Sequence, residues 1–187
     1  MNVVIFGPPG AGKGTQAQNI VKKFNLYQVS TGDLLRNEIE NKSDIGKEIE
    51  EIISKGDFAT DDIVNKLIKN IIFDPQKKDK LIFDGYPRSL SQAENLNVLL
   101  KKSNQKIDLI LFLNVDKETV QKRLEKRKII EKRSDDNLNT ILKRYDTYME
   151  TTRPVLDFYS SRSYFYEIDG SEKIEVISGK IEQIITL

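Results

Sequence analysis

The sequence predicts an α/β protein in which helices cover both faces of a parallel sheet. Short apolar runs rich in β-branched residues alternate with longer amphipathic segments along the whole chain. Strands alternating with helices imply parallel pairing with crossover helices on both faces. We therefore expect a three-layer fold built on five strands, with strands at Val3–Phe6, Tyr27–Val29, Leu81–Phe83, Ile107–Val115 and Tyr164–Ile168.

The segments between these runs have the periodicity of amphipathic helices. Ser30 to Asp33 is typical of a turn and helix cap, the stretch from Ile129 to Asn137 is predicted as a loop, and Pro154 is expected to interrupt a helix. A chain of 187 residues without repeats or a long linker is predicted to form a single domain over residues 1–187. Helices are predicted at Thr15–Phe24, Leu34–Glu40, Ile45–Ser54, Asp61–Phe73, Leu90–Leu100, Glu118–Lys128, Leu138–Met149, Pro154–Arg162 and Lys173–Ile185.

Composition excludes several classes of function. The formal net charge is +1, so no basic excess points to nucleic acid or to a membrane surface. Cysteine is absent, which excludes disulfides, thiolate zinc sites and cysteine nucleophiles. Histidine is absent too, which removes the commonest general base. With no membrane-length apolar run and no signal peptide before the first strand, we expect a soluble cytoplasmic protein.

A glycine-rich loop follows the first predicted strand. Gly7, Gly10, Gly12 and Gly14 allow a tight turn whose backbone N–H groups point inward, and Lys13 adds a positive charge. The spacing G-x-x-x-x-G-K is that of a phosphate-binding loop at the start of a helix. The alternative is a glycine-rich turn without a ligand. We predict that the loop binds a di- or triphosphate.

A second group of polar residues ends the third predicted strand. Asp84 lies at the carboxyl end of Leu81–Phe83, the edge at which open α/β sheets bind ligands. Its carboxylate suits Mg²⁺, held directly or through water, and Arg88 suits a second phosphate. The alternative is a tight turn with an aspartate cap and a solvated arginine.

Four arginines in the second half of the chain suit a phosphoryl group in transfer. Arg123 and Arg127 are four residues apart and share a helix face, Arg133 lies in a polar loop, and Arg144 lies in the next helix. Phosphoryl transfer needs positive charge around the moving group and little else. The alternative is a solvated basic face that pairs with nearby glutamates.

These motifs together resemble those of the adenylate kinase family, in its form with a short lid, over nearly the whole chain. Gly7 to Thr15 is similar to the family's phosphate loop, and Ser30 to Arg36 to its AMP-site turn. Asp84 to Arg88 with Gln92 resembles the segment between the two substrates. The resemblance implies Mg-assisted transfer of the terminal phosphoryl group of ATP to AMP, giving two ADP, by a monomer with an AMP-binding part at about 30–60 and a lid at about 128–137.

The resemblance also assigns residues to sites. The implied catalytic residues are Lys13, Arg88, Arg123, Arg127, Arg133 and Arg144. Asp84 would hold Mg²⁺ through water, and no zinc is expected. The implied ATP site comprises Gly10, Ala11, Gly12, Lys13, Gly14, Thr15, Arg123, Arg127 and Gly170. The implied AMP site comprises Thr31, Arg36, Asp57, Phe58, Ala59, Gly85, Tyr86, Pro87, Arg88, Gln92, Arg133 and Arg144. Related kinases also suggest a cis bond between Tyr86 and Pro87.

Some features depart from the family or leave alternatives open. Asp57-Phe58-Ala59 stands where members often have Leu-Val, and the stretch from Arg127 to Asp135 has no room for a long lid insertion. A UMP/CMP kinase on the same fold is the nearer alternative, although Thr31 and Gln92 favour adenine. The alternative for Gln92 itself is an exposed helix residue without a role in binding. A non-catalytic ATP-binding switch module is the more distant one.

Overall fold

Five parallel strands form one sheet at the centre of the molecule. The computed structural model of the protein describes residues 1–55, 57, 59–131 and 138–187, with the side chains of 128–131, 138, 139 and 141 left aside. The strand order β2-β3-β1-β4-β5 and the parallel pairing confirm the predicted fold class. The strands are β1 (Val3–Phe6), β2 (Tyr27–Ser30), β3 (Leu81–Asp84), β4 (Leu109–Asn114) and β5 (Phe165–Asp169).

The described part of the chain contains nine α-helices, which divide between the two faces of the sheet. One face packs residues from the second, third, fourth, fifth and eighth helices, and the other packs residues from the first, sixth, seventh and ninth. The helices are α1 (Lys13–Phe24), α2 (Thr31–Glu40), α3 (Asp44–Ser54), α4 (Asp61–Ile72), α5 (Leu90–Lys102), α6 (Lys117–Glu131), α7 (Leu138–Thr147), α8 (Arg153–Ser160) and α9 (Ile174–Ile185).

Strand β1 explains why the sheet is buried on both sides. It lies between β3 and β4, with Val4 opposite Phe83 on one side and Ile110 on the other. Because successive side chains of a strand point to opposite faces, Val4 contributes to one hydrophobic cluster and Val3 to the other. Both are fully buried, as a continuous apolar run predicts for a central parallel strand.

The helices near the predicted lid and near Pro154 differ from the prediction. Helix α6 continues to Glu131, where a loop was predicted from Ile129. Pro154 does not interrupt the last long helical stretch, because a π-helical turn over Tyr148–Thr152 leads directly into α8. In that turn the N–H of Arg153 donates to the carbonyl of Tyr148, five residues earlier. The wider turn accommodates the proline ring, which clashes with the carbonyl four residues before it in a regular α-helix.

Helices α2 and α3 form a hairpin that crosses closely at Gly46. A Cβ atom added there would lie 2.0 Å from the carbonyl oxygen of Glu38 in α2. Gly46→Ala is therefore expected to lower the free energy of unfolding, because an overpacking cost of about 1–3 kcal/mol exceeds the ~1 kcal/mol gained in helix propensity. Urea unfolding measures it. Gly179→Ala in α9 is the control, since a Cβ there meets no atom within 4 Å and the substitution should stabilise the protein.

Within the described ranges, no helix is both long and apolar enough to cross a membrane.

Candidate active site

The two segments that were predicted to bind phosphate lie together at the carboxyl edge of the sheet. Strands β1 and β3 are neighbours and end at Phe6 and Asp84, so the loops that follow them face each other across one cleft. This edge is where parallel α/β sheets place their ligands. The cleft is lined by Gly7, Pro9, Lys13, Gly85, Pro87, Arg88, Arg144, Tyr148 and Thr152.

The glycine-rich loop leads directly into helix α1. Gly10 and Gly12 have φ of 82° and 92°, a region that favours glycine, and a Cβ on Gly10 would lie 2.8 Å from Leu124 of α6. Gly12 is the residue that precedes α1, so the helix starts at Lys13, two residues earlier than predicted. The positive end of the helix dipole and its first N–H groups therefore face the loop, which suits an anion.

The ammonium of Lys13 turns back onto the loop. Its Nζ donates to the carbonyls of Gly7 and Pro8 at 2.8 and 3.0 Å. Desolvation of the ammonium lowers the pKa of Lys13 to about 8, although the residue as a whole is partly exposed. The carboxylate of Asp84 acts in the opposite direction, and the positive charges of Arg88, Arg144 and Arg127 lower the pKa further. These cations therefore share one site with Lys13.

Hydrogen bonds hold both the backbone and the side chain of Arg88 in place. Its Nε donates to the carbonyl of Gly85 at 2.7 Å, and Nη2 lies 3.4 Å from the hydroxyl of Thr31. Its backbone N–H donates to the amide oxygen of Gln92 at 2.7 Å, and its carbonyl accepts from the hydroxyl of Thr152 at 3.0 Å. Burial, followed by the charge of Arg144, lowers the pKa of Arg88 to about 10, so the guanidinium remains a cation at neutral pH.

The turn before Arg88 requires its glycine. Gly85 has φ of 77°, and a Cβ there would lie 2.9 Å from both the guanidinium of Arg88 and the hydroxyl of Thr31. The bond between Tyr86 and Pro87 is cis, as predicted. Arg36 lies in the same region, since its charge contributes to lowering the pKa of Arg88, and it forms an ion pair with Asp33 one turn earlier in α2.

Asp84 places a carboxylate between the two basic groups. Its charge partly opposes the lowering of the pKa of Lys13 and of Arg88. Its Oδ2 accepts from the side-chain amide of Gln28 at 3.2 Å. No cluster of three or more metal-ligating side chains occurs among the residues that the structure describes. One carboxylate beside a phosphate site suits Mg²⁺, which usually binds through substrate phosphates, water and one or two carboxylates.

Arg123 connects the glycine-rich loop with the segment after β5. Its guanidinium donates to the carbonyl of Gly170 at 2.8 Å and to that of Ala11 at 3.4 Å. It also donates to the carbonyls of Ser171 and Glu172, both at 3.3 Å. A purely solvated basic face is therefore the wrong interpretation for Arg123, whose guanidinium joins Gly170 to the glycine-rich loop.

Gln92 is buried, so the interpretation that it is an exposed helix residue was wrong. It is 3% exposed, and its amide nitrogen donates to Asp61 at 2.6 Å. Among its predicted companions, Ala59 is buried and Asp57 pairs with Lys143 of α7 at 2.6 Å. Phe58, Arg133 and most of the expected lid, residues 132–137, lie outside the described residues.

Two residues that hold the site were missed. Thr152 binds the carbonyl of Arg88 from 64 positions away, and Asp61 binds Gln92 from 31 positions away. No local motif marks either residue. In the sequence Asp61 looks like any acidic residue in the first turn of a helix. Thr152 lies in a stretch whose π-helical geometry was not predicted.

Comparison with known proteins identifies the family. A family model described as adenylate kinase matches residues 5–164. The adenylate kinase of Pelagibacter ubique (strain HTCC1062) is 46% identical over 99% of both chains. The alignment spans 211 positions and this chain has 187 residues, so the relative has at least 24 residues without a counterpart here. The adenylate kinase of Caulobacter sp. (strain K31) is 36% identical over 100% of this chain and 99% of its own. The chain therefore belongs to the adenylate kinase family and is a phosphotransferase of the nucleoside monophosphate kinase type.

Proposed function

We propose that the protein reversibly transfers the terminal phosphoryl group of ATP to AMP, giving two ADP. The observation that carries the proposal is the meeting of two phosphate-binding groups in one cleft. Lys13 with the glycine-rich loop forms one, and Arg88 with Thr31 forms the other, with the charge of Asp84 acting on both. A site for one nucleotide alone would not require the second group.

The chemistry needs positive charge more than a base. The acceptor is a phosphate oxygen that is already anionic at neutral pH, which fits a chain without histidine. Lys13 and the loop N–H groups hold the donor phosphates, and Arg88 with Arg36 holds the acceptor phosphate. Arg127 and Arg144, whose charges act on Lys13, stabilise the charge on the transferring group. We assign Arg133 and Arg123 to the same task.

Mg²⁺ fits this site as an ion carried on the donor phosphates. Asp84 would hold it through water. When bound, the ion neutralises charge on the phosphates. The carboxylate of Asp84 is kept in place by Gln28, and its charge favours the protonated state of Lys13.

Two further parts of the chain complete the proposal. We assign residues 30–60 to AMP and residues 128–137 to a short lid whose closure excludes water from the transfer. Thr31, Gln92 and the segment 57–59 would contact the acceptor nucleotide, and Gly170 the donor base. A single chain contains both sites, which suits a monomer.

A screen of acceptors tests the proposal against the UMP/CMP kinase alternative. AMP, UMP, CMP and GMP are each offered with MgATP, and kcat/KM is measured. We expect AMP to be strongly preferred, because an amide such as that of Gln92 can pair with the N6 and N1 edge of adenine. Comparable use of UMP or CMP would favour the alternative, and tight ATP binding without transfer to any acceptor would favour the switch module.

Thr152→Val is expected to raise the KM for AMP by roughly fivefold, because it removes a hydroxyl that orients Arg88 and that is worth about 1 kcal/mol. The KM for ATP should change little, because the bond is to Arg88 and not to the glycine-rich loop. Thr152→Ser keeps the hydroxyl and should restore the KM for AMP. Equal changes in both KM values, or no rescue by serine, would show that Thr152 acts through packing alone.

The lowered pKa of Lys13 predicts proton uptake when ATP binds. The folded pKa of about 8 lies below the usual 10.5, so between these values the unfolded chain binds more protons and stability rises with pH. A bound phosphate restores the charged form. Calorimetry at about pH 8.5 in buffers of different ionisation enthalpy should therefore show protons taken up. The uptake should be lost in Lys13→Met; an equal uptake in that variant would assign it to another group.

A further inference from the structure

Asp61 makes three hydrogen bonds at the start of helix α5. Its Oδ1 accepts from the side-chain amide of Gln92 at 2.6 Å. Its Oδ2 accepts from the hydroxyl of Ser89 at 3.0 Å and from that of Ser91. Asp61 is the first residue of α4, directly after the segment assigned above to the acceptor nucleotide. Its carboxylate thus connects that segment with the helix that bears Gln92.

The amide of Gln92 is held in one of its two orientations. Its oxygen accepts the backbone N–H of Arg88 at 2.7 Å, while its nitrogen faces Asp61. A flipped amide would bring its NH₂ against the N–H of Arg88 and its oxygen against the carboxylate of Asp61. Both contacts would then be repulsive, since a backbone N–H only donates and an ionised carboxylate only accepts.

The fixed orientation decides what the amide offers to a base. A glutamine amide has two N–H groups and two oxygen lone pairs, and the contacts with Asp61 and Arg88 use one of each. In the proposed acceptor site, the remaining N–H and lone pair would be presented to a base in one fixed order. A base edge with a donor and an acceptor in the complementary order, as in adenine, can pair with them, whereas the reversed order cannot.

We infer that Asp61 is a positioning residue that sets the orientation of the Gln92 amide and so contributes to selection of the acceptor base. The inference rests on the proposed function, because it concerns how the acceptor site of that reaction discriminates between bases. The carboxylate would act through the amide of Gln92. The bond is charge-assisted, which makes it stronger than a neutral amide contact.

The test compares Asp61→Asn with Asp62→Asn. Asp62 is the next residue in the first turn of α4 and is exposed, so its variant removes the same charge near the helix dipole without touching Gln92. Asp61→Asn should raise the KM for AMP on the order of tenfold, since a hydrogen bond to a charged group is worth about 1.5–3 kcal/mol. It should narrow the preference for AMP over UMP and leave the KM for ATP and kcat nearly unchanged. Asp62→Asn should match the wild type.

A double-mutant cycle with Gln92→Ala shows whether Asp61 acts through the amide. In the Gln92→Ala background, Asp61→Asn should cause no further change in the KM for AMP or in the preference for AMP over UMP. The side-chain amide resonances of Gln92, observed by ¹⁵N NMR, should shift in Asp61→Asn and not in Asp62→Asn. The NMR measurement does not depend on activity, so it can be made even if the variant is inactive.

The inference would be overturned if Asp61→Asn had the same kinetics as Asp62→Asn. It would also be overturned if Asp61→Asn raised the KM for AMP equally with and without Gln92. A third contradicting outcome is a variant in which the KM for AMP, the KM for ATP and kcat all worsen to the same extent. The wild-type kinetics are read separately. If the wild type does not prefer AMP, the proposed function fails. Asp61 is then judged by the KM of whichever monophosphate the enzyme accepts and by the NMR shift of Gln92.

Discussion

Lys13→Met is expected to slow phosphoryl transfer by a factor on the order of 10² or more while leaving the fold intact. The ammonium lies at the end of the glycine-rich loop, within hydrogen-bond distance of two loop carbonyls. We expect the ammonium to bind a donor phosphate in place of these carbonyls. Its positive charge would then stabilise the negative charge on the terminal phosphoryl group during transfer. Methionine keeps an unbranched, flexible side chain of similar length and similar helix propensity, so the loss should appear in kcat while the protein still folds.

The control for Lys13→Met is Lys22→Met, an exposed position of the same helix α1. Steady-state kinetics with MgATP and AMP, together with urea unfolding of both variants, separates chemistry from folding. Lys22→Met should keep the wild-type kcat. Near-normal turnover of Lys13→Met would contradict the assignment of the glycine-rich loop to the donor phosphates.

Arg127→Lys is expected to be nearly as damaging as Arg127→Ala, with each lowering kcat on the order of 10². Arg127 lies on α6 close enough to Lys13 for its charge to lower the pKa of that residue. A lysine at this position keeps the charge and the helix propensity but cannot reproduce the planar, bidentate contact of a guanidinium with a phosphate.

Lys126→Ala is the matched control for Arg127, because it removes a positive charge from an exposed neighbouring position of α6. It should leave kcat unchanged. If Arg127→Lys restores most of the activity, Arg127 acts as a diffuse charge. If Arg127→Ala is as active as Lys126→Ala, the residue belongs to a solvated basic face and takes no part in transfer.

The sequence was enough to predict those parts of the fold that depend on local pattern. The continuous apolar run of Val3–Phe6 predicts a strand buried on both faces, and alternation with amphipathic segments predicts parallel pairing. The spacing of Gly7, Gly10, Gly12 and Lys13 predicts the phosphate loop because only certain backbone conformations fit it. In each case the physical cause lies within a few residues of the chain.

The features that escaped prediction depend on distant partners or on backbone adjustments. Nothing near Gln92 in the sequence indicates that its amide faces Asp61, 31 positions away. The π-helical turn at Tyr148–Thr152 is a response of the helix to Pro154, where a break was predicted. Helix α6 runs on to Glu131, where a loop was predicted from Ile129, because no glycine or proline ends it.

The measurement that most directly tests the central proposal follows nucleotide stoichiometry. The protein is incubated with MgATP alone and with MgATP plus AMP, and ATP, ADP, AMP and inorganic phosphate are followed by ³¹P NMR. We expect two ADP for each ATP consumed, no release of inorganic phosphate, and no loss of ATP when AMP is omitted. Steady release of phosphate without AMP, or an ATP signal that shows binding but is never consumed with AMP or any other monophosphate, would contradict the proposal.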